Sequence, residues 1–188
     1  GLIGEGERLA DVGTDHGYVP IYLVERKRIP SAIAMDIRTG PLERAREHIR
    51  MYGMEDYIQT RLSDGVAALK PGEADTILIA GMGGGLVIHI LESGRVICEQ
   101  AHGLVLQPQS ELPKVRRFLM ENGYVTEREE MVMEDGKYYP LMLPQSLMRT
   151  ALQKSRNWNS AMESSFLQKN IRCFWRIFAG KCRSSRIF

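Results

Sequence analysis

Five times within the first 122 residues a short apolar run gives way to a segment whose apolar side chains recur at helical spacing, and glycines crowd the joints. Leu9-Ala10-Asp11-Val12-Gly13 is the first run, and Tyr18 to Arg28 follows with Val19, Ile21, Tyr22, Leu23 and Val24 before Pro30 stops it. Ser31 to Asp36 reads as a second strand, after which Pro41 opens a helix carrying Leu42, Ala45, Ile49 and Tyr52. Tyr57 to Leu62 is the third strand, with a short helix expected at Val66 to Leu69. The continuous apolar run Asp75 to Ala80, a turn at Gly81 to Gly85 and a helix over Leu86 to Ser93 come next. A strand over Gly103 to Gln107 and a helix over Glu111 to Asn122, ended by Gly123, complete the series. Strands joined through helices in this way lie parallel, because a right-handed crossover returns the chain to the same sheet and covers one of its faces. The predicted class is α/β, with a Rossmann-like sheet.

The pattern changes after Gly123. Tyr124 to Met133 and Lys137 to Leu143 are strand-like runs joined at Glu134-Asp135-Gly136, and Asp-Gly between such runs signals a tight antiparallel hairpin. The sheet then has seven strands, mostly parallel, with a C-terminal antiparallel hairpin. From Gln145 onward Met162, Phe166, Leu167, Ile171, Phe174, Trp175 and Phe178 fall at mostly helical spacing, with Lys169, Arg172 and Arg176 between them. The chain therefore divides into a domain over 1–144 and a basic, helical tail over 145–188.

Charge reinforces that division. The net charge is +2, but residues 1–144 carry 16 Lys and Arg against 22 Asp and Glu, whereas residues 145–188 carry 9 basic residues against Glu163 alone. Nucleic acid or another anionic surface suits such a segment, although a charge run also serves as a solvated face. Three cysteines, Cys98, Cys173 and Cys182, form neither a disulfide framework nor a zinc knuckle, which points to a reducing, cytoplasmic setting. The longest weakly charged run, Thr76 to Leu91, is 16 residues and broken by glycines, so no membrane span is expected. The chain does not begin with Met, and we read it as lacking some N-terminal sequence. Oligomeric state is not legible.

Ligands of open α/β sheets bind at the carboxyl ends of the strands, beside the switch point, so chemistry is sought in the loops after the first four strands. The first loop is Asp11-Val12-Gly13-Thr14-Asp15-His16-Gly17-Tyr18, whose glycines let backbone N–H groups approach a ligand. Asp36, with Ile37 beside it, ends the second strand 23 residues beyond Gly13, where a carboxylate can accept both hydroxyls of a ribose. Ser63-Asp64-Gly65 follows the third strand and is placed to meet an adenine amino group. Ala80-Gly81-Met82-Gly83-Gly84 follows the fourth and forms the floor. Each loop alone is more often a turn or a cap; four in order on one sheet point to a cofactor containing a nucleoside. His48, His89 and His102 are scattered, so no metal site is expected. The absence of G-x-S-x-G and of G-x-x-x-x-G-K-[ST] removes the usual serine hydrolase and P-loop readings.

Ala10 to Pro20, Gly40-Pro41-Leu42, Asp75 to Gly84, Leu106-Gln107-Pro108 and Glu134 to Tyr139 together resemble the bacterial tRNA (adenine-22-N1)-methyltransferase family, in unbroken order over about residues 7 to 143. The resemblance implies a class I methyltransferase core, S-adenosyl-L-methionine (SAM) as methyl donor, and N1 of an adenine in tRNA as acceptor. It also implies a last strand lying antiparallel beside the fifth. The family's helical segment before the first strand is largely missing, and residues 145–188 do not resemble its C-terminal domain. The tail is equally readable as a basic module and as a divergent or frame-shifted end.

On this reading Asp11, Gly13, Thr14, Gly17, Tyr18, Asp36, Ile37, Ser63, Asp64, Gly65, Ala80 and Gly81 hold the donor. Asp15 contacts the acceptor's amino group, His16 orients it, and the carbonyls of Gly81 and Met82 line the transfer site. Two alternatives stand beside it. An NAD-dependent oxidoreductase would also use Gly13, Gly17 and Asp36, although the hairpin and the lack of a full G-x-G-x-x-G oppose it. A non-catalytic RNA-binding module would use the tail.

Overall fold

The computed structural model describes residues 2–134 and 136–147. Asp135 at the hairpin turn, Cys173, Cys182 and the helical spacing from Met162 to Phe178 lie outside the described residues.

The elements follow in the order β1 (Leu9–Val12), α1 (Tyr18–Glu25), β2 (Ala32–Asp36), α2 (Thr39–Met51), β3 (Ile58–Leu62), β4 (Thr76–Met82), α3 (Gly84–Ser93), α4 (Arg95–Gln100), β5 (Gly103–Pro108), α5 (Leu112–Glu121), β6 (Tyr124–Glu134) and β7 (Lys137–Ser146). They build a seven-stranded sheet in the order β3-β2-β1-β4-β5-β7-β6. β1 pairs parallel with β2, Leu9 opposite Ala32, and with β4, Leu9 opposite Thr76. β7 lies antiparallel to β5 with Leu106 opposite Met142, as the resemblance implies. The chain thus grows outward through β2 and β3, then reverses to β4 on the other side of β1, which puts the switch point between β1 and β4.

Strand alternation sorts the interior into two cores. Ala10, Val12, Ile77, Ile79, Leu104 and Leu106 face one side, where Val87 and Ile90 of α3, Cys98 of α4 and Val115 and Leu119 of α5 cover them. Leu9, Ala32, Ala34, Leu78 and Val105 face the other, under Ile21 and Val24 of α1 and Ile49 of α2. Asp11 and Asp36 continue the second set at period two, so both carboxylates leave the sheet on the α1/α2 side.

Two expectations need correcting. Val66 to Leu69 is a turn rather than a helix. Gly65 takes a left-handed φ of 54°, Ala67 N–H donates to the Asp64 carbonyl and Leu69 N–H to the Val66 carbonyl, so the segment closes in two three-residue steps and goes no further. β4 also continues through Gly81 to Met82, where a turn was expected, and the register against β5 shifts between Ala80 and Met82. α4 is an addition: six residues with only Cys98 buried are too short to show a periodic pattern.

Candidate active site

Loop one turns on left-handed glycines. Gly13 has φ 77° and Gly17 φ 72°, and the N–H groups of Gly13 and Thr14 both donate to the Met35 carbonyl at 2.8 and 2.9 Å. A Cβ on Gly13 would fall 2.2 Å from Cε of Met82, so the Met82 side chain reaches from the end of β4 to the loop after β1, and the left-handed φ is what keeps this position a glycine. A Cβ on Gly17 would sit 3.4 Å from Cβ of Ala45, which is how α1 and α2 pack together behind the loop.

Asp11 is buried, and its Oδ2 accepts the Thr14 hydroxyl at 2.6 Å. Burial pushes its carboxyl up to about 6, with the Thr14 hydrogen bond working in the opposite sense. Asp15 is exposed and also left-handed, at φ 46°. Its Oδ1 accepts a hydrogen bond from Arg44 of α2 at 2.5 Å, and its Oδ2 lies 3.5 Å from Nε2 of His16. The Arg44 hydrogen bond, with smaller help from the nearby His16, holds the Asp15 carboxyl below its ordinary range despite some desolvation. Sequence and structure therefore give one loop two carboxylates of opposite character, one protonated well above the usual range and one kept ionised.

Asp36 is buried at the end of β2, and its Oδ1 accepts the Arg38 N–H at 2.9 Å. Ile37 beside it is 60% exposed, an apolar wall at the rim. Ser63 donates to the Gly65 carbonyl at 2.8 Å and accepts the Ala68 N–H, so its hydroxyl holds the turn, while Asp64 is exposed. Gly81 has φ 76° and its N–H donates to Oε1 of Gln107 at 2.9 Å. The Met82 carbonyl, one of the two assigned to the transfer site, already accepts the Gln109 N–H at 2.8 Å.

Three functional candidates went unread in the sequence. Arg44 reaches Asp15 across 29 residues. His48 donates from Nδ1 to the His16 carbonyl at 3.0 Å, and the rings of His16, Tyr18 and His48 form a triangular cluster with centroids 5.1 to 5.4 Å apart and nearly parallel planes. Gln107 is buried, and its Nε2 has no partner, nor has the buried Nδ1 of His16. The only early signal for His48 is its place one helical turn after Ala45, on the helix face that meets Gly17.

Among the described residues no helix is long and apolar enough to cross a membrane, and no group of three or more His, Cys, Asp or Glu could hold a metal ion.

Residues 1–142 match the family described as methyltransferase domain. The tRNA (adenine(22)-N(1))-methyltransferase of Bacillus subtilis is 38% identical over 149 residues, which are 79% of this chain and 63% of that protein. The chain thus spans less than two thirds of that relative's length. The crystal structure of the B. subtilis M1A22 tRNA methyltransferase superposes with a TM-score of 0.73 at 27% identity, over 95% of this chain and 91% of that one. A Streptococcus pneumoniae protein solved in complex with S-adenosyl-L-methionine superposes with a TM-score of 0.74 at 32% identity, over 95% of this chain and 83% of that one.

Proposed function

Because the chain belongs to the methyltransferase-domain family, in its tRNA (adenine-22-N1)-methyltransferase branch, we propose that it transfers a methyl group from SAM to N1 of adenine 22 in tRNA. The carrying observation is the switch point between β1 and β4, where left-handed Gly13 lies against the Met82 side chain and Asp11 and Asp36 stand on the same side of the sheet.

The residues present fit the donor. Left-handed Gly13 and Gly17 open backbone to a close-lying ligand, and Asp36 keeps Oδ2 clear of its contacts with Arg38, as an acceptor for ribose hydroxyls. Exposed Ile37 supports an adenine face, with Ser63-Asp64-Gly65 next along the rim. The buried Nε2 of Gln107 and Nδ1 of His16 are polar atoms left for a ligand or its water to satisfy. When bound, SAM supplies an electrophilic methyl on a sulfonium.

On the acceptor side the chain has little proton chemistry to perform, since adenine N1 is unprotonated near neutral pH and already nucleophilic. Its task is alignment, which alone can remove several kcal/mol from a barrier. Asp15, kept ionised by Arg44, accepts a hydrogen bond from the adenine amino group and stabilises the positive charge that builds on the ring. His16 braces Asp15, and the Gly81 carbonyl faces the same charge from the floor. The adenine must leave its stack to arrive there, at a cost of a few kcal/mol that contacts to the rest of the tRNA offset.

The test is direct. Incubation with labelled SAM and a tRNA transcript, then digestion to nucleosides, is expected to yield 1-methyladenosine, and a transcript with guanine in place of the target adenine is expected to yield none. Transfer to another base or position overturns the assignment; nicotinamide binding without transfer returns the oxidoreductase reading.

A further inference from the structure

The solvent face of α1 carries a stripe that the two cores do not explain. Tyr18 and Tyr22, one helical turn apart, are 58% and 56% exposed, although their burial would be favourable and the helix has its own apolar face in Ile21 and Val24. One turn further Arg26 lies over the Tyr22 ring, its guanidinium 5.4 Å from the centroid. Lys27 and Arg28 follow, giving three consecutive cations in a region, 1–144, where acids outnumber bases. Arg28 is engaged by Glu5 at 3.4 Å and Glu25 flanks the stripe, so Arg26 and Lys27 supply most of the free positive charge.

The Tyr18 end is packed against loop one. Its ring stands against His16 and His48 with interplanar angles of 7° and 15°, and the His48-to-His16 hydrogen bond ties that cluster to loop one. The stripe begins at Gly17 on the rim of the crevice and runs on the order of 12 Å down the helix.

We propose that this face of α1 is a docking track for unpaired nucleotides of the tRNA that flank the target adenine, with bases stacked on Tyr18 and Tyr22 and phosphates against Arg26 and Lys27. The inference rests on the proposed tRNA methylation and adds where the substrate lies. Exposed rings interleaved with guanidinium and ammonium groups match a strand with π-faces and one negative charge per nucleotide; a protein partner would offer no such repeat. It also moves Tyr18 from the donor side, where the sequence placed it, to the acceptor side.

The test uses the full chain, retention of the tRNA transcript on filters and steady-state transfer. Tyr22→Ala is expected to raise the KM for tRNA and weaken retention about ten-fold while the SAM affinity measured by calorimetry stays within about two-fold, and Tyr22→Trp to restore both. Tyr18→Ala is expected to weaken retention similarly. Charge reversal at Arg26 and Lys27 together is expected to lower the slope of log affinity against log salt by about one to two. Unchanged retention in Tyr22→Ala and in the charge-reversed chain overturns the track. Were the wild-type chain to bind tRNA but transfer no methyl, the methylation reading would fall, and the retention measurements would still decide the track.

Discussion

Asp11 is buried in a place that disfavours its charge. Its carboxyl ionises near 3.8 in the unfolded chain and near 6 when folded. Between those values the folded chain holds the extra proton, so the contribution of this group is full below about pH 4 and is lost as pH rises through about 6, a loss on the order of 3 kcal/mol. Asp11→Asn keeps an oxygen for the Thr14 hydroxyl and removes the titration. Denaturant midpoints at pH 5 and pH 8 are expected to differ less in the variant than in the wild type, and equal differences would move the cost to another group. Asp36 and Asp15 separate in function rather than stability. Asp36→Ala is expected to weaken SAM binding about ten-fold or more by calorimetry, whereas Asp15→Ala leaves that affinity within a few-fold and lowers kcat by about a hundred-fold. The reverse pattern would exchange their roles. Asp15 drew the eye in the sequence because of its distinctive loop; its pairing with Arg44 could not be read there, because a residue 29 positions away on an amphipathic helix looks like any solvated arginine.

At the scale of elements, the alternation of strand and helix was legible because the inner parallel strands β1, β2, β4 and β5 are largely buried runs while the helices carry an apolar face; the edge strand β3, with Gln59 and Arg61, is the weaker signal. What escaped were pieces too short for a period, α4 and the 64–69 turn, the latter decided by one left-handed glycine. The hairpin was readable from Asp-Gly, but its place beside β5 came from resemblance, since nothing local says which edge a hairpin joins. The structure ties it down at Met142, fully buried in the core under α3, α4 and α5 and opposite Leu106. Met142→Ala is expected to cost about 2–5 kcal/mol in denaturant unfolding, and the loss should be felt across the domain in one transition. A separate early transition confined to β6 and β7 would show instead that the hairpin is an appendage.

For the molecule as a whole, the switch point fixes an order of events. β1 lies between β2 and β4, with Leu9 opposite Thr76, so the crevice needs a pairing that spans 67 positions of sequence. Closing so long a loop carries an entropic penalty that local helix contacts do not, and such pairings form late. A nascent chain that has emerged only as far as Leu62 possesses β1, β2 and β3, with Asp11, Asp15 and Asp36 all present, yet has no floor against which to hold a methyl donor. A chain cut short before β4 would lack one wall of the proposed site, because β4 is the neighbour that β1 gains only after the chain reverses.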